Sequence, residues 1–463
     1  MDNRREFIKK TMFGGIILGT FGFPGCSSKN EAAKKQNVTP ERKGKSVLGF
    51  RCEPIPTVRI GVIGLRRGGA AVNRLTKIEG TQIVAIDDII PDRVAEIQKG
   101  IKAAGRPAAA EYFKEDDWKK ICERDDIDLI YNATPWELHV PIALYAMEHG
   151  KHVAIEVPAA LTVDDCWALV DTAEKTQRHC MMLENCCYDF FELTTLNMAR
   201  KGLLGDILHG ECAYIHDLRT QIHEKEFPTD NWRTDHYTRH TGNPYPTHGL
   251  GPVAQTMGIN RGDRFDYLTS MSTDQVGLSL YANEYYGKDS SEAKINYKLG
   301  DMNCTMVRTV NGKTILIEHN VTSPCPYDRI HKLYGTKGFV VKYPEEKIAL
   351  EPDAHEFLKP EAFNKLMEEY RHPLARHIGD VAKKVGGHGG MDYIMDWRLI
   401  YCLRNGLPLD QDVYDAATWS CIVELSERSV LNRSNSVDVP DFTRGEWKTA
   451  APWPVIDMKS VFS

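Results

Sequence analysis

Two groups of residues in this 463-residue chain are of types and spacings that could do chemistry. The first is the turn Gly64-Leu65-Arg66-Arg67-Gly68-Gly69, which closes an apolar run from Val58 and opens a helical segment; a second apolar run, Gln82 to Ile86, ends at Asp87-Asp88. Backbone amides at such a turn can face a pyrophosphate at a helix N-terminus, and an acid about twenty residues on can accept from ribose hydroxyls. Arg66 stands where the dinucleotide fingerprint has its second glycine, so the order strand, turn, helix, strand, acid carries the reading rather than the glycines alone. A carboxylate at Asp87 repels a 2′-phosphate and favours NAD over NADP. The second group is a set of polar and aromatic segments: Glu184 to Tyr188, Tyr214 to Arg219, Asn231 to Tyr237, and Tyr245-Pro246-Thr247-His248-Gly249. These read as too polar for a core and contain the histidines and tyrosines that general acid–base work needs.

The elements that must position these residues follow a regular plan. Further units run from Ile127 to Pro135, through a helix from Trp136 to His149, to Lys151-His152-Val153-Ala154-Ile155-Glu156-Val157-Pro158. Apolar strands alternating with helices predict a parallel sheet covered on both faces. Ligands of such sheets lie at the carboxyl ends of the strands, which puts Thr134 to His139 and Glu156-Val157 beside the nicotinamide half of a dinucleotide. Packing at the helix start is the alternative role for Trp136 and His139. Farther on, Thr305 to Val310 and Lys313 to Ile317 alternate as half-buried strands do, which predicts a sheet presenting the polar segments to the cofactor. Helices around Gly390 to Tyr393 and Asp412 to Trp419 are expected to pack on that sheet, and Gly386 to Gly390 reads as a flexible loop. The fold class is α/β: a Rossmann-type doubly wound parallel sheet over 57–180, then an α+β substrate domain over 181–463 with a large, mostly antiparallel sheet and C-terminal helices.

Composition sets the outer limits. With 42% hydrophobic and 26% charged residues the chain is globular and long enough for two or three domains. A net charge of -6 offers no basic footprint for nucleic acid. Beyond the N-terminus no apolar run approaches the roughly 20 residues of a spanning helix. The N-terminus itself, with Arg4-Arg5, an apolar stretch from Met12 to Phe23, and Gly25-Cys26, resembles a twin-arginine export signal ending in a lipoprotein cleavage site over 1–26. Residues 27–56, polar and Lys-rich, read as a tether between a lipid on Cys26 and the folded body. Twin-arginine export carries chains folded in a reducing cytosol, so the 12 cysteines need form no structural disulfides, and their spacings hold no paired C-x-x-C sets for zinc. The resulting expectation is an exported protein of the periplasm or outer membrane, held by its lipid and forming a homo-oligomer.

The successive elements Ile60-Gly61-Val62-Ile63-Gly64-Leu65, Ala133-Thr134-Pro135 with His139, and His152 to Pro158 resemble the sugar oxidoreductases named after glucose-fructose oxidoreductase and inositol dehydrogenase. Most dehydrogenases of that family carry lysine where this chain has Val157, and an apolar side chain cannot accept from a hydroxyl. Within the family the segments Pro135 to His139, Glu184 to Tyr188, His216 to Arg219, Trp232 to Tyr237, Tyr245 to Gly249 and Gly387 to Tyr393 are similar to one branch, the bacterial NAD-dependent glycoside hydrolases of family 109, typified by α-N-acetylgalactosaminidase. The resemblance spans nearly all the folded chain. It implies NAD contacts at Leu65, Arg66, Asp87, Trp136, Glu137, Leu138, His139, Glu156, Val157 and Asn185, and sugar contacts at Tyr214, Arg233, Tyr245, Pro246, Thr247, His248 and Tyr327.

It also implies a cycle that needs no pair of facing carboxylates. The sugar is oxidised at C3, loses a proton from C2, eliminates its aglycone from C1, takes up water and is reduced again, so that a tightly bound NAD is recycled. Such a cycle needs one proton acceptor near the C3 hydroxyl, expected at His248, and one near C2, expected at Tyr188; Glu156 is expected to orient the cofactor. Two rival readings share parts of this pattern. An NAD-dependent sugar oxidoreductase would release NADH, and a non-catalytic sugar-binding lipoprotein would not need the glycine turn. Outside the cytosol there is no dinucleotide pool, which favours an enzyme that keeps its cofactor.

Overall fold

A computed structural model of the chain describes residues 39–223 and 231–452. The first sheet is formed by β1 (Val58–Ile63), β2 (Thr81–Asp87), β3 (Ala110–Tyr112), β4 (Leu129–Asn132), β5 (His152–Ile155) and β6 (Cys180–Met182). The strands lie in the order β3-β2-β1-β4-β5-β6 with every pairing parallel. Parallel neighbours need crossovers. Here α1 (Leu65–Leu75), α2 (Pro91–Ala103), α3 (Asp117–Glu123), α4 (Trp136–Glu148) and α5 (Val163–Thr176) provide them. Burial on both faces explains the uninterrupted apolar strands: Leu129, Ile130 and Tyr131 of β4 are fully buried. The strand order reverses between β1 and β4, which opens a crevice at their carboxyl ends.

The second sheet contains β7 (Ile207–Ile215), β8 (Phe265–Ser272), β9 (Asn303–Thr309), β10 (Thr314–Asn320), β11 (Lys332–Gly335), β12 (Gly338–Val341), β13 (Lys347–Leu350) and β14 (Val437–Asp438). Its order is β13-β12-β11-β7-β10-β9-β8-β14, antiparallel except for the β7–β10 pair. Around it run α6 (Phe190–Arg200), α7 (Arg219–His223), α8 (Trp232–Arg239), α9 (Thr247–Met257) and α10 (Gly277–Tyr285). After it come α11 (Pro360–Glu369), α12 (Pro373–Val385), α13 (Met391–Asn405), α14 (Val413–Ser420) and α15 (Ile422–Leu431). The period-two pattern has its usual meaning. Leu268, Val307, Ile315 and Ile317 are fully buried on the face that α9 and α15 cover. Tyr267, Met271, Met306 and Tyr334 stand on the other, exposed by 37 to 65%.

Two expectations are corrected. Helices α13 and α14 do not pack on the second sheet but return to the helices of the first, α13 against α1 and α14 against α5. The reason is charge as well as shape. Helix α13 is buried on all sides, and its Asp396 and Asp392 find their partner in Arg74 of α1, at 2.7 and 3.5 Å. The tether expected over 27–56 is the other correction, because from Thr39 onward the chain packs on the body. Val47 is buried, Phe50 lies against His179, and Ile55 N–H donates to the Leu403 carbonyl at 3.0 Å. Among the charged residues of this segment Arg42 turns inward, 3.2 Å from the fully buried Glu174. The export signal, Cys26 and 27–38 lie outside the described residues. Among the described residues no helix is long and apolar enough to cross a membrane.

Candidate active site

The crevice at the ends of β1, β2, β4 and β5 is built around Gly64. Its φ of +85° and the 2.5 Å between an added Cβ and the Ala133 carbonyl oxygen admit only glycine where the two strand-end turns meet. Leu65 follows as the first residue of α1, and its N–H donates to Asp88 Oδ2 at 2.8 Å. Asp88 is thereby committed to the turn, while Asp87 is not. Asp87 is 4% exposed and its Oδ1 has no hydrogen-bond partner. Burial, helped by the charges of Asp117 and Asp88, pushes its carboxyl up to about 7. A buried carboxylate oxygen in want of a donor at the end of β2 fits the ribose hydroxyls of a dinucleotide.

The other crevice residues differ in what they offer. Trp136 opens α4 with its indole N–H donating to the Val157 carbonyl at 3.2 Å. Glu137 is turned outward to Arg239, and Leu138 is 40% exposed. His139 is buried with its ring nitrogens 2.8 and 2.9 Å from the carbonyl oxygens of Pro158 and Thr134, so its imidazole ties the loops after β4 and β5 together. Burial lowers its pKa, and the two carbonyl contacts oppose that shift. Glu156, after β5, faces Arg67 at 3.6 Å, and this carboxylate is the main cause of the raised pKa of Arg67. Asn185 is buried and donates to Asp392 Oδ1 at 2.5 Å; Asp392 also accepts from His388 Nδ1 at 2.9 Å.

Beside the crevice lies an aromatic pocket, joined to it where Trp136 stacks on Tyr245 with ring centroids 6.0 Å apart. Tyr245 precedes α9 and His248 is its second residue, so both side chains start from one helix end. His248 Nε2 is 3.3 Å from the Tyr245 hydroxyl and its Nδ1 is 2.8 Å from Glu184 Oε1. Tyr214, at the end of β7, packs against Tyr245 and His248 at 4.7 and 5.5 Å, and Tyr327 lies 6.1 Å beyond it. Arg233 of α8 lies over Trp136 at 5.1 Å and Tyr245 at 5.7 Å, its guanidinium held by the Tyr237 hydroxyl at 3.2 Å. Tyr327, at 36% exposure the most open of these phenols, accepts from Arg329 Nη1 at 3.2 Å.

Residues 58–184 match the oxidoreductase family, NAD-binding Rossmann fold, and residues 188–449 match glycosyl hydrolase 109, C-terminal domain. The chain is 55% identical over 406 residues to the alpha-N-acetylgalactosaminidase of Bacteroides fragilis, covering 87% of this chain and 96% of that protein. This chain belongs to glycoside hydrolase family 109. A family 109 protein of Porphyromonas gingivalis is 50% identical across 89% of this chain and 90% of its own length. Levoglucosan dehydrogenase in complex with NADH and L-sorbose has the same fold, with a TM-score of 0.64 at 19% identity over 84% of this chain and 100% of that one. The family 109 chain is thus an NAD-dependent glycosidase, and its first domain holds the dinucleotide.

Against that family background the pocket gathers Tyr214, Arg233, Tyr245, Thr247, His248 and Tyr327 as the motifs suggested, but it does not gather Tyr188. The Tyr188 ring is 2% exposed and its hydroxyl faces Asp410 Oδ2 at 3.5 Å, beside Arg398. Burial, reinforced by Asp410, pushes this phenol well above its ordinary value, which is the opposite of what a phenolate base requires. The physical reason is the single turn of 3₁₀ helix over Asn185–Tyr188. Asn185 and Cys186 end on the site side of that turn and Tyr188 on the interior side. The glycine loop before α13 is also tighter than a flexible linker. Gly387 and Gly390 take φ of +88° and +112°, and a Cβ at Gly387 would meet Asp392 Cβ at 2.8 Å.

Sequence reasoning passed over Glu184, Arg67, Asp392, Arg74 and Arg329. Glu184 stood in plain view in the Glu-Asn-x-Cys-Tyr motif, whereas the arginines carried no local signal. Glu184, Cys186 and His248 also bring one donor atom each within 4.8 Å of the others. The histidine and the carboxylate satisfy one another there.

Proposed function

We propose that this family 109 enzyme cleaves N-acetylgalactosaminides or related hexosides by oxidation, elimination, hydration and re-reduction of the sugar ring. The observation that carries the reading is the junction of the two sites: the proton-carrying pocket of His248, Tyr245, Tyr214 and Tyr327 adjoins the dinucleotide crevice at Trp136 and Tyr245. NAD+ supplies a hydride acceptor for C3 and, at the end of the cycle, the hydride that restores it. His248 receives the proton of the C3 hydroxyl as that carbon is oxidised. The resulting ketone acidifies C2–H, and the pocket must take that proton before the bond from C1 to the aglycone breaks. Burial raises both the Tyr327 and the Tyr188 phenol, and Tyr327 is the better candidate because Arg329 beside its oxygen opposes that rise, whereas Asp410 beside Tyr188 adds to it. The departing aglycone oxygen takes up a proton, water adds its oxygen at C1, and C2 is reprotonated by the base after exchange with solvent. Glu156, held by Arg67, orients the cofactor. Val157 offers no proton acceptor beside C3, which sets this enzyme apart from a simple sugar dehydrogenase.

Turnover of an aryl N-acetylgalactosaminide in heavy water tests the cycle. The product sugar must carry deuterium at C2 while no NADH accumulates in solution; hydrolysis without C2 exchange sinks the reading. We also propose that the chain is exported by its twin-arginine signal, lipidated on Cys26 and anchored to a membrane of the periplasm. Cys26→Ser must then release an active enzyme from the membrane fraction. Self-association through the open face of the second sheet, at Met306 and Tyr334, completes the proposal, and light scattering of Met306→Lys must show a smaller particle than the parent.

A further inference from the structure

Glu184 is the most deeply buried acid of the pocket, with none of its side chain exposed. It follows β6, and three contacts fix it. Its Oε1 accepts from Cys186 N–H at 3.1 Å, its carbonyl accepts from Gln411 Nε2 at 3.0 Å, and Oε1 lies 2.8 Å from His248 Nδ1. Helix α9 is shaped to allow this approach. A Cβ on Gly251, three residues after His248, would stand 2.8 Å from Glu184 Cγ, so glycine lets the helix settle on the carboxylate. A buried carboxylate 2.8 Å from an imidazole nitrogen accepts a hydrogen bond from it, which leaves the other nitrogen with the lone pair. That other nitrogen, Nε2, is the one turned to Tyr245 and the pocket.

We propose that Glu184 is the positioning residue of the reaction: it fixes His248 as the Nδ1–H tautomer with Nε2 aimed at the sugar, and its charge stabilises the imidazolium formed when Nε2 receives the C3 proton. Glu184 does not touch substrate; it acts through His248. The proton that leaves the C3 hydroxyl resides on Nε2 and returns to the C3 oxygen on re-reduction, so the account closes without another co-reactant. The remaining titratable groups around the imidazole are Tyr245, Tyr214 and Cys186, with Arg233 and Arg67 beyond Tyr245. Burial raises the first three, so they stay neutral and leave Glu184 as the charge in direct contact with the ring. Burial alone would raise Glu184 too, but its contacts with His248 and the Cys186 amide hold it below its usual range.

The proposal rests on His248 serving as the C3 proton acceptor, and its test separates the two claims. Glu184→Gln keeps the volume and an oxygen that can accept from Nδ1–H while removing the charge. The full-length enzyme with this substitution should retain its NAD and its KM but lose roughly ten- to thousand-fold in kcat. A substitution that only loosened the fold would lower NAD content along with kcat. Nitrogen-15 NMR of histidine-labelled wild-type enzyme provides the second measurement, independent of how the variant folds. It must show one imidazole protonated on Nδ1 and strongly deshielded, and lost in His248→Gln. An unchanged kcat in Glu184→Gln, or a His248 proton found on Nε2, overturns the positioning role. Absence of C2 deuterium exchange in the wild-type enzyme overturns the redox cycle instead, whatever the tautomer.

Discussion

If the dinucleotide ribose rests on Asp87, NAD binding is expected to be linked to the loss of a proton. The Asp87 carboxyl rises from an ordinary 3.8 to about 7 in the folded chain, chiefly through burial. A folded-state value above the unfolded one means that the apo protein holds this proton more tightly than the unfolded chain does. The site therefore costs nothing below pH 3.8, grows costly as the pH climbs toward 7, and levels off there at an upper bound of roughly 4 kcal/mol. Ribose hydroxyls donating to Asp87 favour its charged form, so NAD expels the proton. Affinity for NAD should rise up to tenfold for each pH unit between 5 and 7, about 100-fold in all, and flatten above. Calorimetric titration of dinucleotide-stripped enzyme in buffers of different ionisation enthalpy counts the released proton directly. Asp87→Asn should abolish the slope, bind NAD more weakly at pH 8, and give an apo protein that melts higher at pH 8 than the parent. A wild-type affinity independent of pH, or a slope that survives Asp87→Asn, would show that the ribose does not rest on this carboxylate.

Other substitutions probe the remaining assignments. Tyr327→Phe should lower turnover by roughly a hundred- to ten-thousand-fold and suppress C2 exchange with NAD still bound, whereas Tyr188→Phe should cost less than about tenfold; the reverse ranking, read from initial rates, restores Tyr188 as the base. Arg74→Met leaves Asp396 and Asp392 without their buried partner and should destabilise the fold by about 3–5 kcal/mol, seen as a lower midpoint in thermal or urea unfolding. Gly251→Ala places a methyl 2.8 Å from Glu184 Cγ and 3.0 Å from Cys187 Sγ, so kcat should fall while NAD content holds. Equal activity in that variant would mean that α9 yields without disturbing the histidine.

What could be read from the sequence was whatever repeats or sits locally. Apolar strands from Val58, Gln82, Ile127 and His152 betray a parallel sheet because both their faces are buried, and the acid at the end of the second strand lies buried at the crevice. His248, Tyr245, Arg233 and Tyr214 could be named from motifs, and all four meet in one pocket. Direction within a turn was not legible. Tyr188 lies one helical turn from Glu184, yet the 3₁₀ geometry sends its hydroxyl to Asp410, 222 residues away. Polarity misled in the same way, since Glu184, Asn185 and Tyr188 looked too polar for a core and are all buried. Each is accommodated by a hydrogen-bond partner that only the fold supplies: His248 lies 64 residues from Glu184, and Asp392 lies 207 from Asn185. Charges behaved likewise in the segment after Thr39, where Arg42 looked like part of a solvated tether and instead meets Glu174 at 3.2 Å. A charged side chain in an aperiodic stretch has no local signature of its partner. The paired carboxylates of α13 and their arginine on α1 were beyond reach for that reason, although they bring α13 back to the first domain, where Asp392 holds Asn185.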